Sequence, residues 1–508
     1  MKNIICFACL ITLTLATTIN IPTDYPTIQQ GIEQAAVGDL ILIQPGLYQE
    51  SINFLGKDIT VSSLYITTND KTYIDQTIID LNNAGVVLFA NNETNNAMLT
   101  GLTIRNGSGY SINFETVGGG ICCCNNSSPT LQHLIIENCQ SNWGGGITIL
   151  QSSAVVNDMT IRNCNGTPHD ASSGFGGFGG GILIMNSPMV IINDSHIYTN
   201  HCFQGGGVYV YESMVTLNRC AITNNTGSLG AGLYVDVSPQ VEINHCQISN
   251  NFAHDPINMS IVAGGGGINV NDSNLLINST VISDNTAEVG AGIYVADISN
   301  HLMVINKTTI VNNTNNDLLD NEGGPGIRGM DNALILVLNS IIWNNTNQIN
   351  EEAANIYLFN DSSLEIAYSD IQSFYDGIQG NCFFHSGNLD ADPLFVTNEN
   401  SSYIPSEFSP CIDGGHINFV FDNGSLVTTS PNDFLGGAPD FGAYEFPDFV
   451  PGDINGDGQL NVIDLIEIIE LIINEEFSEE DLLYCDVSDD NLLNISDIII
   501  LVIAILAN

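Results

Sequence analysis

Positive charge is what this sequence has least of. Only 8 Lys plus Arg stand against 56 Asp plus Glu in 508 residues, a formal net charge of −48. Such a surface repels phosphate, which excludes nucleic acid and anionic membrane as partners and opposes a polyanionic substrate unless a metal ion mediates. The remaining excess acid reads as a solvated surface that keeps the chain soluble. Beyond the first residues there is no uninterrupted apolar run of ~18 residues, so no membrane span is expected. The nearest approach, residues 498–507, is too short. Helical periodicity is missing from the long middle of the chain, and Gly and Asn take its place.

The start of the chain has the form of a secretory signal: Lys2, an apolar run over residues 4–16, then small residues Ala16, Thr17 and Thr18. Residues 1–18 are therefore expected to be a signal peptide and the protein to be secreted, extracellular or held at a cell surface. Of the thirteen cysteines, Cys6 and Cys9 fall in that signal, while Cys139 with Cys164, and Cys220 with Cys246, occupy equivalent positions of a repeat. Stacked repeat cysteines read as small inward-facing hydrophobes. Cys382 and Cys411, outside the repeat, are the disulfide candidates.

Glycine clusters followed by an aliphatic residue recur at Ile121, Ile147, Ile182, Val208, Leu233, Ile268, Ile293 and Ile327, with gaps of 26, 35, 26, 25, 35, 25 and 34. The period is about 25 residues, with insertions of about nine in three coils. Each period also holds an aliphatic strand ending in Asn, as in Ile243-Asn244 and Ile277-Asn278, and closes on a further Asn at 225, 251, 285 or 313. Short strands separated by Gly and Asn turns at this period predict a solenoid whose strands pair in parallel with the coils above and below. Asn tolerates left-handed backbone angles and stacks its amide on the Asn of the next coil. An open solenoid needs caps. Residues 28–36 predict a short amphipathic helix within an N-terminal cap and first coils over 19–65. The β-helix itself is expected over 66–375, and residues 376–447 are expected to close the far end.

The opening Tyr25-Pro26-Thr27-Ile28-Gln29, Gly38-Asp39 and Pro45-Gly46-Leu47-Tyr48-Gln49-Glu50 resembles that of bacterial right-handed parallel β-helix proteins of the pectin-lyase-like superfamily. Leu338-Asn339-Ser340-Ile341-Ile342-Trp343, Asp392-Pro393-Leu394-Phe395, Ser409-Pro410-Cys411-Ile412-Asp413 and Gly442-Ala443-Tyr444-Glu445-Phe446 resemble the closing part of the same group. The resemblance implies a mainly β fold and an association with polysaccharide. Activity is a separate question, because the scaffold hosts lyases, hydrolases, esterases and inert adhesins. The Asn-Thr-Asp, Asp-Asp and Gly-His-Gly motifs of a polygalacturonase are missing from the β-helix region, as are the Gln-Asp-Thr-Leu and Asp-Phe-Ile-Phe-Gly motifs of a pectin methylesterase. A lyase would need an Arg or Lys base, and the repeats offer only Arg105, Arg162, Arg219, Lys307 and Arg328. The insertions 106–117, 165–178, 251–263 and 313–325 all precede the glycine corner and are expected to project from one side. They supply the ligand-face candidates Tyr110, Phe114, Phe175, Phe178 and Phe252 and the pairs His169-Asp170 and His254-Asp255. Aromatic rings beside polar groups suit stacking on sugars.

From Pro451 the composition changes, and residues 448–508 carry fifteen Asp plus Glu and no Lys or Arg. Asp453, Asn455, Asp457, Gln459, Asn461 and Asp464 stand at positions 1, 3, 5, 7, 9 and 12 of a loop with Gly458 at its sharp turn. This spacing brings side-chain oxygens, and the Gln459 carbonyl, to one point, as a calcium ion requires. Thirty-three residues on, Asp486, Ser488, Asp490, Leu492, Asn494 and Asp497 repeat the pattern, with Ser488 and Asn491 as departures that predict weaker calcium binding there. Apolar helices are predicted to follow each loop, over 462–473 and 495–506. This duplicated loop-helix resembles a type I dockerin, which implies bound Ca2+ and a cohesin-bearing scaffold protein as partner, read through Val462, Ile463, Ile495 and Ser496. The expectation is a secreted, polysaccharide-associated β-helix tethered by its dockerin; if active, it is a polysaccharide lyase or glycoside hydrolase. The alternative is a non-catalytic surface or adhesion protein with a structural solenoid.

Overall fold

The computed structural model describes residues 16–112, 115–167, 177–254, 262–296, 301–316, 323–348, 354–396, 403–406, 408–431, 433–434, 436–446, 452–454, 460–474, 485–488 and 492–507. Three parallel sheets run the length of a solenoid. The largest has 23 strands, from Thr18–Ile21 to Asn381–Phe384; the second has 12, from Ile52–Asn53 to Ile378–Gln379; the third consists of eight two-residue strands from Gln140–Ser141 to Thr346–Asn347. The aliphatic residues after the glycine corners form one column in register, Ile121, Ile147, Ile182, Val208, Leu233, Ile268, Ile293, Ile327 and Ile356, and all are fully buried. Alternate side chains of each strand thus point into a single core that grows coil by coil.

Glycine is required where the coil turns. Gly265, at φ +71°, would place a Cβ 2.5 Å from the Ile268 carbonyl oxygen, which no side chain tolerates.

Two neighbouring residues share the duties that the sequence suggests for one Asn. Asn224, Asn250 and Asn312 take the left-handed conformation (φ 55°, 57° and 56°). The residues that follow, Asn225, Asn251 and Asn313, point inward and build a buried amide ladder. In it the Asn251 Oδ1 accepts from the Asn225 N–H at 3.0 Å and amide at 3.1 Å, while the Asn251 Nδ2 donates to Asn285 at 3.0 Å and to the Ile222 carbonyl at 2.9 Å. A second, half-buried ladder joins Asn157, Asn193, Asn218, Asn244 and Asn278 through amide contacts of 2.7 to 3.1 Å. A third, which the sequence reading does not anticipate, has backbone N–H groups of Ser187, Ser213 and Ser238 donating to the hydroxyls of Ser213, Ser238 and Ser273.

The N-terminal helix is Ile28–Gln34, with Ile28, Gly31 and Ile32 buried and Thr27 capping it through the Gln30 N–H. Glu50 accepts from the first helical N–H groups, of Ile28 and Gln29, at 2.9 Å each, and Lys57 donates to the carbonyls of Ile32, Glu33 and Ala35. Opposite charges therefore sit at opposite ends of the helix dipole.

At the far end the repeat runs past residue 375: Ile378–Gln379 and Asn381–Phe384 still pair in parallel with Ile356–Leu358 and Ser363–Ala367. The next residues extend the coil, Leu389 pairing in parallel with Asp370, and later described ones lie along the outer flank of the last coils. Phe421 and Val427 pack on Leu336 and Leu338, Thr429 bonds Asn306 and Asn339, and Glu445 pairs with the buried Lys307. The proposed Cys382–Cys411 disulfide does not form, and both thiols are free. Cys382 packs against the solenoid interior, whereas Cys411 sits outside the wall with Ile341 and Phe441, its Sγ 3.5 Å from the Asp370 carboxylate. The sheet stands between them. Cys139, Cys164, Cys220 and Cys246 are buried and free, as repeat-position hydrophobes should be.

Candidate functional site

Two regions carry chemistry. In the C-terminal one the helices are Val462–Asn474 and Ile495–Ala507, and Leu465, Ile468, Leu493, Leu501 and Cys485 form the core between them. The last ligand position of each loop, Asp464 and Asp497, lies in a first helical turn and is fully buried. Asp464 Oδ2 accepts from the Asn461 N–H at 2.8 Å, but its Oδ1 is buried without a hydrogen-bond partner. In the second loop both oxygens of Asp497 are used, accepting from Ser488 N–H at 3.0 Å and Asn494 N–H at 2.9 Å. Asn461 and Asn494 fold back on the N–H groups of Ile463 and Ser496 at 2.8 Å, and the Ser488 hydroxyl lies 3.1 Å from Asp486. Asp453, largely buried, and Leu492 are also described; Asn455, Asp457, Gln459 and Asp490 lie outside the described residues.

A buried carboxylate oxygen with nothing to accept from is costly unless a cation fills the gap. The donor set, all oxygen, suits calcium. The residues present therefore fit the ion.

Around that core the helices leave a row of apolar side chains in water: Val462, Ile463, Ile466 and Ile473 on one, Ile495, Ile499, Ile503 and Leu506 on the other, Leu506 being 81% exposed. Two short helices cannot cover this much apolar surface with each other. Val462, Ile463 and Ile495 belong to it, and the exposed Ser496 adjoins Ile495 in the chain.

The chain matches the family model for the right handed beta helix region over residues 114–274 and 169–314, and that for the dockerin type I domain over 451–506. The chain is a right-handed parallel β-helix protein with a C-terminal type I dockerin domain. Among curated proteins, this β-helix dockerin protein is 28% identical over 130 residues to metabotropic glutamate receptor-like protein R of Dictyostelium discoideum, a match covering 25% of this chain and 8% of that one. Among solved structures, pectate lyase Pel9A is 12% identical with a TM-score of 0.37 (82% of this chain, 90% of that one). XylC in complex with xylose is 10% identical with a TM-score of 0.38 (74% and 85%).

On the β-helix the described ligand-face candidates, Tyr110, Phe178 and the pair Phe252 and His254, stand on different elements. Tyr110 is exposed on the hairpin of Tyr110–Ile112 with Glu115–Val117. Phe252 is exposed on the third sheet, stacked 4.7 Å from His254. Phe178 is instead half-buried in a run of rings, 6.1 Å from Trp143 and 5.1 Å from Tyr209. Phe114, His169, Asp170, Phe175 and Asp255 lie outside the described residues.

The second sheet carries what the sequence reading passed over. Tyr209 and Tyr234 stack 5.2 Å apart on its outer face, and the Tyr209 hydroxyl donates to Asp236 at 3.2 Å. Asn271 holds the other Asp236 oxygen at 2.8 Å, and the half-buried Tyr211 stands in register beside it. Burial, reinforced by Asp236, pushes the Tyr209 phenol well up, so it stays a donor. The signal was legible: Tyr209, Tyr234 and Tyr294 each follow the aliphatic residue of a glycine corner.

Six of the seven described cations are held in structural contacts, and the seventh, Lys71, is 76% exposed. Arg105 pairs with Asp80, Arg162 with Glu137, Arg219 with Asp194, Lys307 with Glu445 and Lys71 with Asp158. Lys57 caps the first helix, and Arg328 lies over the Tyr357 ring. Arg105 and Arg162 are thus ladder residues, as their equivalent contexts suggest.

Proposed function

We propose that this protein is exported and docks through its calcium-ordered dockerin domain onto a cohesin-bearing partner, where it holds a glycan-associated β-helix. The observation that carries the reading is the Asp464 oxygen, buried without a partner beside helices that expose a continuous apolar row. Calcium, when bound, supplies the positive charge that lets the convergent carboxylates of each loop sit together. Asp464 and Asp497 then anchor each loop to its helix, while Val462, Ile463, Ile495 and Ser496 face the partner.

The test is calcium-dependent capture of the full chain by a panel of type I cohesins. Binding should vanish with chelator and in Asp464→Ala combined with Asp497→Ala. It should fall in Val462→Asp or Ile495→Asp with calcium still bound. Calcium binding without any cohesin capture would leave an intramolecular clamp, and the docking proposal would fail.

For the solenoid, the exposed rings of Tyr110 and Phe252 support glycan binding, whereas Tyr209 and Tyr234 are buried and stiffen the wall. The pairing of Arg105, Arg162, Arg219 and Lys307 with carboxylates supports the second reading, a non-catalytic solenoid, over a lyase that uses one of these four as a free base.

A further inference from the structure

The last full coil places a carboxylate where its neighbours are apolar. Leu276, Val304, Leu336, Glu365 and Phe383 stand in register along one outward column of the largest sheet. Glu365 is only 6% exposed. Its Oε2 lies 3.0 Å from His385 Nε2 and accepts the Asp422 N–H at 3.0 Å. His385 follows the final strand, Asn381–Phe384, and Asp422 belongs to the turn between the antiparallel strands Asn418–Val420 and Leu426–Thr428. Three separate segments thus bring one ligand atom each, from Glu365, His385 and Asp422, within 4.8 Å of one another. The rings of Phe419 and Phe421 lie 5.3 and 5.7 Å from that of His385 and wall the group on one side, while Asp422 is exposed on the other.

We propose that Glu365, His385 and Asp422 bind a divalent transition-metal ion of the zinc class, which fastens the hairpin to the last coil. The donor set decides the kind of ion. An imidazole nitrogen with two carboxylates suits zinc, whereas calcium takes six to eight oxygens and no nitrogen. Tetrahedral ligands at ~2.0–2.1 Å from zinc lie about 3.3 Å from each other, so the observed spacing needs only a small inward movement of the exposed Asp422. The protein's negative field favours a cation there, and the two Phe rings limit the access of water to it. A simple His385–Glu365 ion pair is the competing account, and it gives Asp422 no part.

The experiment titrates ZnCl2 into metal-stripped full chain kept in saturating calcium, by calorimetry, and follows Tm in parallel, with MgCl2 as control. The expected result is one zinc per chain and a zinc-dependent rise in Tm, both lost in His385→Ala and in Asp422→Asn. Asp422→Asn changes an exposed turn residue and keeps the backbone N–H bond, so its result does not depend on folding. Failure of the wild type to bind zinc at ~10 μM would overturn the proposal. So would zinc binding that both variants retain, which would assign the ion to other histidines.

Discussion

At the residue scale, the segment that lies along the solenoid's flank is held by buried acids. Asp440 accepts from the Asp413 N–H at 2.7 Å and from that of Phe446, yet burial, helped by Glu445, pushes its carboxyl up to about 7; burial also raises Asp370 to about 6. An acid whose folded value lies above its unfolded ~3.9 is bound by a proton more readily in the folded chain. Its contribution is greatest at low pH and is lost as pH rises through the folded value. Burial lowers His196, His201 and His245, whose effect runs in the opposite sense and is complete only about a unit above the unfolded value of ~6.5. The two effects oppose each other near neutral pH, so the Asp440 share is read as the difference between the wild type and Asp440→Asn. In saturating calcium the solenoid's Tm relative to that of Asp440→Asn is expected to fall as pH rises through about 7. An unchanged slope in the variant would mean that Asp440 ionises normally.

At the element scale, the amide ladders distinguish buried from half-buried hydrogen bonding. Asn251→Ala strips the side-chain partner from the buried Asn225 N–H and a donor from the Ile222 carbonyl, while the Asn285 oxygen keeps the Asn251 N–H. Each buried group so orphaned costs ~1–3 kcal/mol, so one such change should lower the denaturant midpoint of the solenoid clearly. Asn244→Ala, in the half-buried ladder, leaves Asn218 and Asn278 within reach of water and should cost under ~1 kcal/mol. Equal losses would show that stacking geometry, rather than desolvation, sets the value of these amides. The Asn repeats were visible in the sequence at their period. Which Asn of each pair turned the chain and which entered the core was not, since both choices satisfy the same spacing.

At the scale of the whole molecule, the solenoid and the dockerin domain respond to different things. The solenoid is a continuous apolar core under backbone ladders; the dockerin helices share a small core and depend on loops whose carboxylates repel without an ion. Chelation is expected to remove the dockerin's helical circular dichroism signal and leave the β signal unchanged. Returning calcium should restore helix in two steps. The tighter belongs to the first loop, where the Asp464 oxygen is available, and it should be the one lost in Asp464→Ala. A single chelator-sensitive transition of both signals would contradict this independence.

The sequence by itself determined the repeat, the inward column after each glycine corner, the buried free cysteines of the repeat and the paired calcium spacing, because each is a local pattern with a fixed period. Tertiary structure decided what joins distant segments. It set Cys382 and Cys411 on opposite sides of a sheet and packed Phe421 and Val427 on the flank of the last coils. It also gathered Glu365, His385 and Asp422 at one point. Side-chain period tells which way a residue faces within its own coil. Only the path of the chain between coils, and the wall of the sheet itself, fixes which faces can meet.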